Sequence, residues 1–232
     1  MKLLRNMLSR TRLSFAASRP GQFQPYNHTL PDRYPWLFKF ATESLGTGNA
    51  CQLLSFGCSR GDEVFALRDH FPAANIKGID ISPQNIQVCR ERARQRHLRD
   101  ISFGVAADTF MEPGQHYDAI FCLAVLCHGD LSTNGATRCD PLISFAQFSR
   151  VVEGFAYCLK PRGLLLLLTT NFRFGDTDTA RDFDVVLEAD PERLAPDVLF
   201  DRNNALMSGE RYRAVAFRKR GVGRSPIVAV GS

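Results

Sequence analysis

The sequence predicts an α/β protein built on a parallel, doubly wound sheet with helices on both faces. Three observations carry the prediction. From residue 51 onward, short apolar runs alternate with helical patterns. The first run enters a glycine-bounded turn, Gly57-Cys58-Ser59-Arg60-Gly61; a helix leaves that turn, and the next run ends on a carboxylate, Asp80. The fourth run, residues 117–124, is almost purely apolar, as expected of a strand covered on both faces.

The elements follow in order. Pro35 opens a helix that stops at Gly46, with Trp36 and Phe40 on its aromatic face. Residues 51–56 form the first strand, and residues 62–71 a helix carrying Val64, Phe65 and Leu67. The second strand covers 76–81. Ser82 and Pro83 then supply a cap and a first-turn proline for a helix running to about His97. Strand three spans 101–107 and closes on Asp108; strand four is 117–124. A long helix over 141–159 leads to a fifth strand at 163–170. Residues 183–187 fit either a strand or part of a helix. Residues 198–201 and 212–219 read as a final antiparallel pair at the sheet edge, joined through 203–209.

Composition bounds the possibilities. At 232 residues, 44% apolar and 23% charged, the chain fits one globular domain with an extension. Its longest aliphatic run, Leu164–Leu168, falls far short of the ~20 residues of a membrane span. Five of the 29 basic residues (Lys2, Arg5, Arg10, Arg12, Arg19) precede the first acid, Asp32, so the body holds 24 basic residues against 24 acidic ones. The positive excess belongs to the N-terminal arm, and no nucleic-acid-binding face is expected. That arm fits a frayed basic tail, a weak amphipathic helix touching a membrane surface, or an organelle-targeting peptide. Seven cysteines without a CxxC pair read as reduced buried thiols in a cytoplasmic protein. Cys122, Cys127, His128 and Cys139 lack the close ligand pairs of a zinc site, and no metal is expected.

The strand–turn–helix–strand–acid unit is suited to the adenosine part of a cofactor. Glycine at the turn lets the backbone approach a ligand, and Asp80 can accept from a ribose diol. Over roughly residues 35–220 the chain resembles the class I S-adenosylmethionine-dependent methyltransferases. The resemblance rests on the turn at 57–61, the acids at 80 and 108, the apolar strand ending near Leu123, and Leu159-Lys-Pro-Arg-Gly-Leu-Leu-Leu166 leading into the fifth strand. It implies a Rossmann-like seven-stranded sheet in the order 3-2-1-4-5-7-6, whose last strand is antiparallel. The domain would occupy 35–220, between a basic arm and connector (1–34) and a tail (221–232).

The spacing discriminates between cofactors. A dinucleotide turn needs glycine at 57, 59 and 62, and residue 62 is Asp, which would repel phosphates. The methyltransferase turn has glycine at 57, 59 and 61, of which 57 and 61 are present. Carried over by position, the resemblance implies that Gly57, Cys58, Ser59 and Gly61 line the methionine and ribose region. Asp80 would take the ribose hydroxyls, with Ile81 against the adenine. Asp108, beside Ala107, would accept from the adenine amino group, and Leu123 would face the methionine portion. Two departures stand out: Ser55 replaces an acid often linked to the cofactor's ammonium group, and Ser59 replaces the middle glycine.

Methyl transfer from a sulfonium needs alignment and water exclusion more than acid–base help. If an acceptor must lose a proton, His128 in the loop after strand four is the candidate base. Asn171, Arg173 and Asp176 follow strand five, where ligands bind in open sheets. The expectation is methylation of a small-molecule acceptor. The alternatives are a non-catalytic adenosylmethionine-binding protein and a protein or RNA methyltransferase.

Overall fold

The computed structural model describes residues 21–26, 33–48, 50–133, 135–194, 198–209 and 211–221. The expectations for the basic arm and for the tail past Gly221 lie outside the described residues.

The first helix, α1 (Pro35–Leu45), precedes the alternating core of β1 (Gln52–Phe56), α2 (Asp62–His70), β2 (Asn75–Asp80), α3 (Pro83–Gln95), β3 (Ile101–Val105) and β4 (Tyr117–Leu123). After β4 come the short α4 (Gly129–Thr133), then α5 (Phe145–Cys158), β5 (Leu159–Leu168) and β6 (Phe183–Glu188). A small hairpin, β7 (Leu199–Phe200) and β8 (Leu206–Met207), separates β6 from β9 (Ala214–Lys219). The main sheet has seven strands in the order β3-β2-β1-β4-β5-β9-β6. Counted along that sheet, this is the expected 3-2-1-4-5-7-6. β1 through β5 pair in parallel, and β9 is antiparallel to both its neighbours.

Side-chain alternation divides the core into two layers. On one face Leu53, Phe121, Leu123, Leu164 and Leu166 meet α1, α2 and α3 through Phe38, Val64, Leu67 and Ile86. On the other, Leu54, Phe56, Ile120, Leu165 and Leu167 meet α5 through Phe148, Val152 and Phe155. Phe56 and Phe155 make an edge-on ring contact at 4.9 Å. Each such buried Leu or Phe contributes about 1.5–3 kcal/mol.

Three local expectations are corrected. The long helix begins at Phe145 rather than 141, because Ser144 and Gln147 form a reciprocal capping box there. The segment Lys160–Gly163 belongs to β5, as a bulge between the pairs Tyr117–Leu159 and Ala119–Leu164; Lys160 bonds Asp118 there at 2.8 Å. Residues 198–201 do not pair with 212–219. β9 pairs instead with β6, which settles 183–188 as the edge strand, while β7 turns back on β8. Asp201 directs this reversal: its Oδ1 accepts from the N–H groups of Asn203 and Ala205 at 2.8 and 2.9 Å.

Candidate active site

The glycine-bounded turn joins β1 to α2 at the carboxyl end of the sheet, beside the point where strand order reverses between β1 and β4. Gly57 and Cys58 donate their N–H groups to Ile79 O at 2.8 and 2.9 Å, tying the turn to β2. Gly57 and Gly61 have φ of 72° and 89°, values that side chains rarely adopt. A Cβ on Gly57 would lie 2.6 Å from Val125 Cγ2, so the residue that requires glycine here belongs to the loop after β4. Ser59 adopts φ 48° although it carries a side chain, and its Oγ is buried without a hydrogen-bond partner among the described residues.

Asp80 is the hub of this turn. Its Oδ2 accepts from Ser59 N at 2.8 Å, and its Oδ1 from Ser82 N at 2.8 Å and Asn85 Nδ2 at 3.0 Å. Only 7% of Asp80 is exposed. A carboxylate offers about four acceptor positions, so a ribose diol would gain one bond before displacing a present partner. Asp80 O also accepts from Ala106 N at 3.0 Å, drawing the end of β3 toward the turn. Beyond it, Asp108 Oδ1 accepts from Phe110 N at 3.1 Å, a local Asx turn, and Ala107 lies under the connector. The backbone thus gathers Gly57, Cys58, Ser59, Gly61 and Asp80. Ile81 follows directly, Leu123 is buried at the end of β4, and Ala107 and Asp108 sit one strand further out. Cys58 is buried, and its contact with Cys89 together with burial pushes its thiol well up.

Left-handed backbone recurs at the neighbouring strand ends, at Ala124 after β4 (φ 59°) and Thr169 after β5 (φ 58°). With Ser59 this makes three strained positions on one edge of the sheet. Such positions persist only where surrounding structure holds them, and they cluster at binding sites.

His128 lies between these strand ends, 6% exposed. Asn171 holds its backbone, accepting His128 N at Oδ1 (2.7 Å) while Nδ2 donates to Val198 O at 2.8 Å. Asn171 therefore clamps the loops after β4 and β5 to the segment before β7. Arg173 and Asp176 pair with each other at 2.8 Å. His128 Nδ1 accepts from Asp130 N at 3.3 Å, which assigns the remaining proton to Nε2. Burial lowers the imidazole's pKa, partly opposed by the Asp130 carboxylate.

The connector spans this edge of the sheet. Gly21 approaches Ala107, Phe23 is buried, Gln24 Nε2 donates to Cys127 Sγ at 3.4 Å, and Tyr26 OH donates to Asp130 Oδ1 at 2.7 Å. Residues 21–26 thus run from the end of β3 to the start of α4.

One group was missed from the sequence. Ser55, fully buried on β1, donates its Oγ to Glu63 Oε1 at 2.7 Å. Glu63 is the second residue of α2, and burial pushes its carboxyl from 4.5 to about 7, partly opposed by the Ser55 bond. The available signal was an exchange: a serine stands where an acid belongs, and an acid follows two residues after Gly61.

A family model described as a methyltransferase domain matches residues 54–165. No curated protein matches the chain. Among solved structures it is similar to phosphoethanolamine N-methyltransferase 2 of Haemonchus contortus in complex with S-adenosyl-L-methionine, at 15% identity and a TM-score of 0.46, over 72% of this chain and 32% of that one. It is also similar to geranyl diphosphate C-methyltransferase of Streptomyces coelicolor A3(2), at 16% identity and a TM-score of 0.43, over 57% and 44%. The [4+2]-cyclase SpnF matches at 22% identity and a TM-score of 0.42, over 57% and 43%. The chain spans less than half the length of each of these three. The chain thus carries a methyltransferase-domain match over residues 54–165 on a seven-stranded sheet of order 3-2-1-4-5-7-6, with the glycine-bounded turn at its switch point.

Proposed function

We propose that this chain binds S-adenosyl-L-methionine and transfers its methyl group to a small-molecule acceptor. The observation that carries the reading is the Ser59–Asp80 junction at the switch point between β1 and β4, where ligands bind in open α/β sheets. The residues present fit the cofactor. Asp80 keeps an acceptor position for a ribose hydroxyl, Ser59 Oγ is an orphaned polar atom in the turn, and Asp108 Oδ2 has no partner among the described residues. A pyrophosphate fits poorly, because Asp62 brings a carboxylate to the start of α2, where Arg92 holds it at 2.6 Å.

In this reading Gly57, Cys58, Ser59 and Gly61 hold the methionine and ribose portions, Asp80 the ribose, Ile81 and Ala107 the adenine faces, and Asp108 the adenine amino group. Leu123 borders the methionine chain. When bound, the cofactor supplies an already activated methyl group. The protein's work is alignment, with the connector and the loop after β4 keeping water out. His128 takes a proton where the acceptor must lose one. The imidazole is neutral near pH 7, and uptake at Nδ1 requires it to release Asp130 N–H. No helix among the described residues is long and apolar enough to cross a membrane. We read the protein as cytoplasmic, without stable nucleic-acid binding, its basic arm making at most weak contact with a membrane surface.

Titration calorimetry with adenosylmethionine and adenosylhomocysteine tests the reading; no heat of binding from either would overturn it. Methyl transfer is then sought across a metabolite panel. On an acceptor that must lose a proton, His128→Ala is expected to keep adenosylhomocysteine affinity and lower kcat by about a hundredfold. Binding without transfer to any metabolite, protein or RNA would favour the non-catalytic alternative, which the strained Ser59 turn also suits.

A further inference from the structure

Unlike its neighbour Asp62, Glu63 has no positive partner among the described residues. Its neighbour Asp62 faces outward to Arg92. Glu63 faces inward, and among the described residues its one hydrogen bond comes from Ser55 Oγ. Among the described residues no lysine, arginine or histidine pairs with it. Its charge is felt by Tyr34 at the start of α1, Cys58 in the turn and Cys122 on β4, so it sits among the carboxyl ends of the strands. Those three groups are uncharged near pH 7, because burial raises the Tyr34 phenol and the Cys122 thiol, and Cys89 with burial raises Cys58. Arg33 stacks over the Tyr34 ring at 5.1 Å. Tyr34 also bonds Thr169, one of the strained residues.

A carboxylate withdrawn from water without a countercharge is costly, and one hydroxyl donor does not offset that cost. Helix stabilisation does not account for it, since Asp62 already places an acid in the first turn of α2. An unpaired inward carboxylate beside a ligand-binding turn is a group in want of a cation.

We infer that Glu63, held in position by the Ser55 hydroxyl, is the anionic partner of the α-ammonium on the ligand's amino-acid tail. The inference rests on the cofactor reading above and adds a residue to it. Ser55 acts as a positioning residue: its hydroxyl occupies Oε1 and leaves Oε2 for the ligand. The carboxylate that strand β1 lacks is delivered from α2, across the turn.

The test compares two ligands that share an adenosine and differ in the tail. Adenosylhomocysteine carries the ammonium; 5′-methylthioadenosine does not. Both are titrated calorimetrically into the wild type, Glu63→Gln and Ser55→Ala. Loss of one charge-assisted bond predicts that Glu63→Gln weakens adenosylhomocysteine by at least about tenfold while methylthioadenosine changes by less than about twofold. Ser55→Ala is expected to weaken adenosylhomocysteine by a smaller factor, again sparing methylthioadenosine. If Glu63→Gln folds poorly, the Ser55→Ala comparison carries the same selectivity test. Unchanged adenosylhomocysteine affinity in Glu63→Gln overturns the assignment. So does an equal loss for both ligands, which would mean damage to the turn. A wild type that binds methylthioadenosine but prefers no tail also overturns it while leaving an adenosine site standing. Binding of neither ligand removes the cofactor reading itself.

Discussion

The backbone N–H of Ser59 donates to Asp80 Oδ2 at 2.8 Å, so the carboxylate that ends β2 holds the middle of the turn that ends β1. Asp80 thereby orders the turn through its own hydrogen bonds. Asp80→Ala would leave the N–H groups of Ser59 and Ser82 without their acceptor, a cost of about 1–3 kcal/mol for each that stays buried. The expected outcome is a lower Tm and at least a tenfold loss of adenosylhomocysteine affinity (the order of one charged hydrogen bond), read by thermal unfolding and calorimetry. Retained affinity would show that the turn stands without Asp80.

Ser59 combines left-handed backbone with a buried hydroxyl that has no partner among the described residues. Replacing it with glycine removes both penalties, against a gain in unfolded-chain entropy. Ser59→Gly is expected to raise stability by about 1 kcal/mol, or roughly 2–4 °C in Tm for a chain of this size. A fall in Tm would mean that the hydroxyl is satisfied in solution.

Glu63 and His128 pull stability in opposite directions with pH. The Glu63 carboxyl is raised to about 7, so between about 4.5 and 7 the folded state holds a proton that the unfolded chain has released. Stability from this group is therefore greatest at the acid end and is lost as pH rises through that window. His128 is lowered, so its stability contribution is lost as pH falls below its ordinary value of 6.5. The groups facing Glu63 (Tyr34, Cys58, Cys122) stay uncharged throughout. Denaturant unfolding of wild type and Glu63→Gln from pH 5 to 8 should show their difference declining with pH, by no more than ~1.4 kcal/mol per unit. A difference independent of pH would show that Glu63 titrates normally.

Asn171, 1% exposed, joins three segments through one amide. Asn171→Ala should cost about 1–3 kcal/mol, because the N–H of His128 and the carbonyl of Val198 lose their partner. Asn171→Asp should be no better, since it keeps the acceptor for His128 but turns a carboxylate oxygen toward Val198 O. Faster proteolysis between β6 and β9 in both variants is the measurement; protection equal to wild type would remove the clamp role.

The elements with a strong local signal were legible from the residues. Ser82-Pro83 placed the start of α3, and the apolar run 117–124 announced a central strand. The edge was not legible. Residues 198–201 and 183–187 both carry strand-like patterns, and only the competition for β9 separates them. β6 offers six residues to that edge, while β7 offers two and is turned back by Asp201 and held at Phe200 N by Asn171 O.

The same division applies to the site. Glycines at 57 and 61 and an acid at 80 follow from local needs, a left-handed turn and a strand end, and such needs are written in consecutive residues. What those groups do was decided by contacts across the fold. Gly57 makes room for Val125 of another loop, Asp80 spends three acceptor positions on its own turn, and Glu63 meets Ser55 only because α2 folds back along β1. By itself the sequence determined the alternating architecture and the place of the turn, since period and backbone conformation are local. Tertiary structure alone decided which edge strand pairs and which carboxylate stands unpaired, because pairing and desolvation depend on residues distant in the chain.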